Sequence, residues 1–351
     1  MLSVCLTGLD GAPSMASAIR NVGAIMQAAW YTKNGESREV LVIGDLPTPT
    51  PGPGEVLVRL ATSGVNPSDV KSRRSRPLIS DRIVPHSDGA GVIEAVGADV
   101  SAARVGERVW IWNGQWQRPS GTAAEYIALP AAQAVRLPDG TDFAAGACLG
   151  IPAMTAYQAD RLLGEVAGKT ILIIGASSSV GHYAAQIAST HGATVIGTVG
   201  SAQKAEHALA AGVKATINYK EESVAQRVHD LTGGRGVDGI VDMDFSTTAQ
   251  LLSNNVLAPH GTLVCYGSNA YGETPVPFRE LLFSSLSLRF FLVYDLTPQD
   301  RQDAISGLTR LLEDGKLSHT IGARFALEEI AQAHEAVEGG KLVGNVILDL
   351  P

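Results

Sequence analysis

The sequence predicts an α/β protein in which a small antiparallel β domain is joined to a larger, doubly wound parallel sheet. Length is the first observation, because 351 residues exceed what one ordinary hydrophobic core holds. Composition is the second, since 45% apolar residues, 18% charged residues and 38 glycines suit a globular chain with many tight strand-to-helix turns. The third is a change in the pattern of predicted elements near Asp142.

The segment from residue 26 to about residue 137 reads as short strands separated by turns. Residues 47–54, Pro-Thr-Pro-Thr-Pro-Gly-Pro-Gly, form the clearest loop signal. Because we see no helical pattern between the strands, we expect a compact antiparallel β domain. The predicted strands are Gln27–Tyr31, Val40–Ile43, Glu55–Ala61, Gly91–Val96, Arg108–Trp112 and Ala124–Leu129.

After a predicted helix over 142–163, strands and helices alternate. Alternation of this kind favours parallel strands with helices on both faces, a doubly wound sheet. The run Ile171–Ile174 is apolar on both faces, as a central parallel strand must be. The predicted strands are Thr170–Ile174, Thr194–Thr198, Ala215–Asn218, Gly239–Asp242, Thr262–Tyr266 and Leu286–Val293, and the predicted helices are Val180–Thr190, Ala202–Ala211, Glu222–Leu231 and Thr247–Leu257.

The C-terminal part breaks this rhythm. A long helix over Pro298–Asp314 precedes the stretch Leu317–Ala323, a helix over Leu327–Val337 and a last strand, Asn345–Leu350. We expect that strand to return to the β domain. The predicted domains are therefore a β domain at 26–150, completed by 315–351, and a doubly wound α/β domain at 151–314.

Charge and composition also exclude several classes of function. A net charge of −8 opposes binding to nucleic acid, and no run of about 18 apolar residues predicts a membrane span. The cysteines, Cys5, Cys148 and Cys265, form no CxxC pair and suit a reducing, cytoplasmic setting. Residues 1–25 lack the features of a secretory signal, so we expect an upstream extension or a poorly ordered arm.

The strongest chemical signal is the strand, small-residue turn and helix around Thr170–Gly181. Such a turn presents free N–H groups and the positive end of the helix dipole to a pyrophosphate. The motif is not a full GxGxxG, because Ala176 and Ser178 occupy the first two glycine positions. A serine-capped turn without a ligand is the alternative, but the complete βαβ context favours a dinucleotide.

The second strand of this unit indicates NADPH. An NAD site places a carboxylate at the end of that strand, yet no acidic residue occurs between Glu165 and Glu206. Ser201 and Lys204 stand there, and a hydroxyl and an ammonium suit a 2′-phosphate. Lys204 also fits an ordinary surface position in the first turn of a helix.

The chain resembles the zinc-free, zeta-crystallin-like quinone oxidoreductases of the medium-chain dehydrogenase/reductase superfamily, from about Met26 to the C-terminus. The resemblance implies a GroES-like β domain, a Rossmann domain, a cleft between them that takes a small molecule, and a homodimer. It rests on the Thr170–Gly181 loop and on the segments 51–58, 64–69, 87–97, 106–109, 150–157, 231–238 and 344–348.

Cofactor contacts of the family carry over onto positions along the predicted Rossmann domain and its borders. Ser177, Ser178, Ser179 and Val180 would hold the pyrophosphate, and Tyr219 would reach the adenosine end. The resemblance places a further set along the nicotinamide half: Ser246, Tyr266, Gly267, Ser268, Asn269, Phe291, Leu292 and Val293. The remaining implied positions are Thr155, Gly200, Ser201, Lys204 and Asn345.

The same comparison argues against zinc. Zinc-dependent relatives use a cysteine in the stretch that matches Val65–Asp69 and a His-Glu pair that matches Ser87-Asp88. Neither ligand is present, His86 is one residue out of register, and a zinc site needs three protein ligands. We therefore expect no metal and interpret His86 as a loop histidine.

The remaining chemistry is direct hydride transfer from NADPH to a quinone or an α,β-unsaturated carbonyl compound. Asn66 would orient the acceptor or the nicotinamide ribose, and Lys71, where many relatives have tyrosine, would stabilise oxyanion charge. Trp112 and Trp116 would line the cleft, while Trp110 fits the core equally well. Three alternatives remain: a secondary-alcohol dehydrogenase, an enoyl-thioester reductase that uses Arg73, Arg74 and Arg76, and an NADPH-binding protein with a non-catalytic role.

Overall fold

A computed structural model describes residues 24–270 and 272–351. Residues 1–23 of the predicted N-terminal extension lie outside the described residues. Within the described chain the first strand already begins at Ile25, inside the segment assigned to the extension. The α/β fold class is confirmed, since a mainly antiparallel sheet accompanies a fully parallel one.

The antiparallel part contains a hairpin and a seven-stranded sheet. In the hairpin, β1 pairs with β2, and in the sheet the strand order is β14-β15-β3-β4-β5-β7 with β6 paired to β3. The last strand, β15, pairs antiparallel with β3 and therefore returns to this sheet. The strands are β1 (Ile25–Trp30), β2 (Val42–Pro47), β3 (Glu55–Val65), β4 (Asp88–Val96), β5 (Arg108–Ile111), β6 (Tyr126–Pro130), β7 (Ala134–Arg136), β14 (Ile321–Ala326) and β15 (Asn345–Asp349).

Two short helices interrupt this part, which corrects the prediction of strands without intervening helices. The first, α1 (Ser37–Val40), ends where a strand was predicted to begin, because a short apolar run does not distinguish a helical turn from a strand. The second, α2 (Pro67–Ser75), carries Lys71, Arg73 and Arg74 of a basic cluster of four that ends with Arg76, directly after the helix. Proline in its first turn and a bond of 2.8 Å from the Asn66 backbone N–H to Asp69 start this helix.

Six parallel strands form the second sheet in the order β10-β9-β8-β11-β12-β13. Strand order reverses between β8 and β11, so a crevice opens at their carboxyl ends, which is where ligands bind in such sheets. The strands are β8 (Thr170–Ile173), β9 (Thr194–Val199), β10 (Ala215–Asn218), β11 (Val237–Asp242), β12 (Leu257–Cys265) and β13 (Ser287–Phe290).

Helices pack on both faces of the parallel sheet and against the β sheet. The helix predicted over 142–163 is broken, since a π-helical stretch at 149–153 contains Pro152, which lacks a backbone N–H. The helix predicted over Thr247–Leu257 is shorter than predicted and only partly α-helical, since the α-helical turn at 245–248 continues as a 3₁₀ stretch at 249–254 and Leu257 already starts β12. The remaining helices are α3 (Phe143–Gly146), α4 (Met154–Leu163), α5 (Ser179–Thr190), α6 (Ala202–Ala210), α7 (Val224–Thr232), α8 (Phe245–Thr248), α9 (Phe278–Phe283), α10 (Pro298–Glu313) and α11 (Ile330–Gly339).

One apolar core crosses from the β sheet to the parallel sheet. Its buried side chains include Trp110 of the β sheet, Leu149 and Met154 of the connecting helices, and Tyr183 of α5. The two sheets are therefore packed around a shared core.

Candidate cofactor and active site

The loop between β8 and α5 has the geometry of a pyrophosphate cradle. Gly175 adopts a left-handed φ of 69°, and a Cβ on Gly181 would stand 2.2 Å from the Gly175 carbonyl oxygen. Ser178 caps α5 by accepting a bond of 3.0 Å from the Gly181 N–H. Because Ser179 and Val180 occupy the first turn, the helix itself supplies no acceptor for their N–H groups. This arrangement fits a phosphate ligand.

The end of β9 forms the adenosine side of the candidate site. The Tyr219 ring lies across Gly200, where a Cβ would stand 2.8 Å from the tyrosine hydroxyl. Tyr219 is 54% exposed, so one face of its ring is available for stacking. Ser201 caps α6, and the Lys204 ammonium donates a bond of 2.8 Å to the Gly340 carbonyl. Because this partner is a neutral carbonyl, Lys204 would bind a 2′-phosphate without losing an ion pair to a carboxylate.

Asp244 organises the segment after β11 and was missed by the sequence analysis. It accepts bonds from Ser246 Oγ at 2.6 Å and from the backbone and side-chain N–H groups of Asn269, both at 2.8 Å. Burial raises the pKa of Asp244, but these bonds and one from Thr247 outweigh it, so the pKa lies below its usual range. An acidic residue just after a buried parallel strand was the available signal.

Five of the residues implied for the nicotinamide half line one open pocket of about 520 Å³ beyond the ends of β12 and β13. Its other walls include the aromatic side chains of Phe245 and Phe290. The structure therefore brings together residues that are up to 26 positions apart in the sequence. The five implied residues in the lining are Tyr266, Gly267, Ser268, Phe291 and Leu292.

Four other implied contacts lie deeper. Val293 is buried, and its carbonyl accepts a bond of 3.0 Å from Arg301. Ser177 and Thr155 are buried as well, and the Thr155 hydroxyl has no hydrogen-bond partner among the described residues, which suits a ligand contact. Asn345 is buried and donates to the Thr320 carbonyl at 3.2 Å.

On the β-sheet side, Asn66 is held by a buried carboxyl group. Its side-chain amide donates to Asp88 Oδ2 at 2.9 Å, and the same oxygen accepts from the Ile151 N–H at 3.0 Å. Burial raises the pKa of Asp88 well above its usual range. Asp88 therefore fixes the rotamer of Asn66, although the sequence comparison treated it only as a missing metal ligand.

The residues of the basic cluster on α2 have different environments. Arg73 is fully buried, forms an ion pair with Glu338 and donates to the Gly35 carbonyl at 2.7 Å. Arg74 forms an ion pair with Glu36 at 2.8 Å. The suggestion that Arg73 contacts a phosphorylated carrier is wrong, since burial removes it from solvent. Lys71 is exposed on the helix.

The three tryptophans of the segment 110–116 are also distinct. Trp110 is fully buried, and Trp112 packs on the core beneath the Arg301 guanidinium, 3.9 Å from its ring centroid. Trp116 stacks on Tyr294 with the ring centroids 4.5 Å apart. Tyr294 in turn donates a bond of 2.8 Å to Ser68 Oγ. This contact joins the end of the parallel sheet to the Asn66 loop, and sequence analysis had not singled out Tyr294.

The donor set at the positions of zinc ligands does not fit a metal. Among residues 24–270 and 272–351, no group of three histidine, cysteine, aspartate or glutamate side chains is arranged to bind an ion. His86, expected in a loop, is fully buried, with Nδ1 2.9 Å from Ser63 Oγ and Nε2 2.9 Å from His334 Nε2. Both ring nitrogens of His86 are thus engaged.

Comparison with known proteins places this architecture in a family. A family model described as alcohol dehydrogenase GroES-like domain matches residues 52–139, and one described as zinc-binding dehydrogenase matches residues 179–310. A quinone oxidoreductase of Pseudomonas aeruginosa is 35% identical over 320 residues, which is 88% of this chain and 95% of the relative. The chain belongs to the quinone oxidoreductases of the medium-chain dehydrogenase/reductase superfamily. It is accordingly an oxidoreductase of the NADPH:quinone oxidoreductase type.

Relatives and structural neighbours of this chain are named for several different reactions. A 2-haloacrylate reductase of Burkholderia sp. is 32% identical, over 92% of this chain and 98% of the relative. A crystal structure of an NAD-dependent alcohol dehydrogenase covers 93% of this chain and 100% of its own, with 30% identity and a TM-score of 0.84. A mycobacterial protein complexed with NADPH covers 92% and 100%, with 29% identity and a TM-score of 0.81. A Rossmann-like NAD(P)-binding domain is therefore common to these proteins and this chain.

Within the part of the chain that the structure describes, no helix combines the length and apolar character needed to cross a bilayer.

Proposed function

We propose that this quinone oxidoreductase relative transfers hydride from NADPH to a quinone or an α,β-unsaturated carbonyl compound without zinc. The contact between Tyr294 and Ser68, 2.8 Å between hydroxyl oxygens, carries the proposal. It brings the nicotinamide-side segment 291–293 against the loop that contains Asn66. A hydride donor and an acceptor would therefore meet between these two segments.

NADPH, rather than NADH, is supported by the chemistry around the end of β9. The segment from residue 166 to residue 205 contains no carboxylate for a ribose 2′-OH, and Ser201 and Lys204 offer a hydroxyl and an ammonium. One structural neighbour is complexed with NADPH, whereas another is an NAD-dependent enzyme. Lys204 is the residue on which we base cofactor selection.

The chain's own groups would bind and orient the reactants. When bound, the nicotinamide supplies the hydride. Asn66, fixed by Asp88, would hold the acceptor or the nicotinamide ribose, and the exposed Lys71 would approach developing oxyanion charge. An enone would receive hydride at its β-carbon and a proton from solvent at its α-carbon, which yields the saturated ketone and NADP⁺.

A zinc-free reaction is supported by the donor set. The positions that match zinc ligands are Val65–Asp69, without cysteine, and Ser87-Asp88, without histidine. The neighbouring His86 is hydrogen-bonded to Ser63 and His334.

The substrate class is supported by one of the relatives. The name of the relative 2-haloacrylate reductase shows that an α,β-unsaturated acid is among the substrate types of the superfamily.

We further propose a homodimer in the cytoplasm and the domain division predicted from sequence. β13 forms one edge of the described parallel sheet, and exposed aromatic groups accompany it, with Phe290 58% and Phe283 76% exposed. An exposed apolar sheet edge favours pairing with a second copy across a two-fold axis. The two cysteines that the structure describes are free and buried, in keeping with a reducing compartment.

Oxidation of NADPH, followed by absorbance in the presence of a chelator, tests the proposal. The acceptors are 1,4-benzoquinone, 9,10-phenanthrenequinone, a short enone and crotonyl-CoA, and NADH is used in parallel. We expect turnover of a quinone or the enone, with higher kcat/KM for NADPH than for NADH. Turnover that requires added zinc, or none with any acceptor, would refute the proposed function.

A further inference from the structure

A second pocket, of about 180 Å³, lies beside the end of α2 and opens next to the Trp116 ring. The described residues around it are mostly apolar or neutral, and Arg76 is the only charged one among them. Its walls include Tyr31, Arg76, Leu78, Ile83 and Trp116.

Arg76 differs from the other arginines of the same segment. Arg73 and Arg74 form ion pairs with glutamates, whereas no carboxylate of residues 24–270 or 272–351 lies within ion-pair distance of the Arg76 guanidinium. Its guanidinium lies over the Trp116 ring, 5.2 Å from the centroid. Stacking of this kind fixes the plane of a guanidinium and leaves its edge N–H groups for a ligand.

Tyr31 supplies a second donor in the same pocket. The backbone of Tyr31 exchanges two bonds of 2.9 Å with Ile83, so the residue is held in place. Burial, and then the nearby Asp69, raise the pKa of Tyr31 to about 12, so its hydroxyl keeps its proton. A planar guanidinium edge and a phenol O–H are donors that match the oxygens of a carboxylate.

This pocket is joined to the proposed reaction centre through aromatic contacts. Trp116 stacks on Tyr294, which bonds to Ser68, two residues from Asn66. The geometry points to an acceptor that carries a carboxylate, bound by Arg76 and Tyr31, with its unsaturated part beside the edge of Trp116. This inference rests on the proposed function and narrows its substrate class to anionic enones, enoates or quinones.

Paired acceptors that differ only in charge test the inference. We choose 3-acetylacrylate and its methyl ester, and compare wild type with Arg76→Gln, Arg76→Lys and Arg82→Gln. Arg82 is the matched control, since it lies over the Trp30 ring, 5.7 Å from the centroid, outside the pocket lining. We expect Arg76→Gln to raise KM for 3-acetylacrylate about 10-fold with little change in kcat, because a charge-assisted bond is lost from binding.

The controls then separate the two proposals. The ester should be reduced by Arg76→Gln with a KM within about 2-fold of wild type, Arg76→Lys should keep most of the preference, and Arg82→Gln should behave as wild type. If Arg76→Gln affects both acceptors equally, or neither, while wild type reduces the ester, the inference is overturned and the proposed function stands.

A binding measurement covers the case in which neither 3-acetylacrylate nor its methyl ester is reduced. Calorimetric titration with naphthalene-2-carboxylate, which cannot accept hydride under these conditions, then decides on the pocket. Binding that weakens about 10-fold in Arg76→Gln, but not in Arg82→Gln, supports a carboxylate site. Equal binding by all variants overturns it.

Discussion

The buried histidine pair predicts that acid destabilises the fold, and His86 allows the effect to be isolated. Both rings are buried, and they share one hydrogen bond, 2.9 Å between their Nε2 atoms. Burial lowers the pKa of His86 to about 3. In the unfolded chain the same imidazole has a pKa of about 6.5, so acid places a proton on the unfolded state first.

The magnitude follows from proton linkage. Because the folded pKa is depressed, the contribution of His86 is complete above about pH 6.5 and is lost as the pH falls toward 3. At pH 5 the solution is about 1.5 pH units below the pKa of the unfolded imidazole, whereas at pH 7.5 that imidazole is neutral. Its protonation therefore lowers the free energy of the unfolded state by about 2 kcal/mol over this pH range. His334, whose pKa is also lowered by burial and then by His86, adds to the loss.

Two buried carboxyl groups near His86 have the opposite effect on stability as the pH falls, so the experiment must cancel their contribution. Burial raises the pKa of Asp69 to about 7 and that of Asp88 as well, so their protonation favours the folded state as the pH falls. The comparison is therefore between wild type and His86→Asn, since both proteins retain these carboxyls. Asparagine tolerates the left-handed backbone at this position, where φ is 76°.

Urea unfolding, followed by circular dichroism at the two pH values, measures the difference. We expect wild type to lose about 2 kcal/mol more unfolding free energy than His86→Asn on acidification. Equal losses in the two proteins would show that His86 does not titrate as its burial requires, and the reasoning would be refuted.

Three further predictions concern the cofactor site and the assembly. Gly181→Ala places a Cβ 2.2 Å from a backbone oxygen, so the turn must shift. We expect NADPH affinity, measured by fluorescence titration, to fall about 10-fold or more. The control Gly140→Ala, which has open space around its Cβ, should bind NADPH as wild type does. Lys204→Ala should raise KM for NADPH about 10-fold and leave KM for NADH unchanged in steady-state assays, and equal changes would contradict a role in 2′-phosphate selection. Phe283→Glu should shift the mass measured by light scattering from dimer to monomer, because a charge replaces a residue that is 76% exposed beside the sheet edge; an unchanged mass would place the interface elsewhere.

The parallel sheet and the turn between β8 and α5 could be predicted because both depend on short-range pattern. A buried strand, Gly175, a serine cap and Gly181 lie within one stretch of chain, and the structure gives that stretch the expected turn. Alternation of strands and helices likewise restricts topology to a doubly wound sheet. The boundaries failed where an apolar run is ambiguous, as at α1, or where Pro152 interrupts a helical pattern.

The contacts around the site could not be predicted because they join distant parts of the chain. His86 and His334 are 248 positions apart, and Tyr294 and Ser68 are 226 apart, so no local spacing indicates either pair. The different environments of Arg73 and Arg76 could not be predicted for the same reason. Arg73 forms an ion pair with the distant Glu338, whereas the Arg76 guanidinium lies over the Trp116 ring.

Transfer of deuterium from NADPH labelled at C4 tests the central claim most directly. With metal-free protein, chelator and 3-acetylacrylate methyl ester, we expect one deuterium on the carbon β to the ketone carbonyl of the reduced product, detected by mass spectrometry and NMR. Labelling should occur with one of the two C4 epimers of the cofactor, because the bound nicotinamide presents one face to the acceptor. Reduced product without deuterium from either epimer would contradict direct hydride transfer.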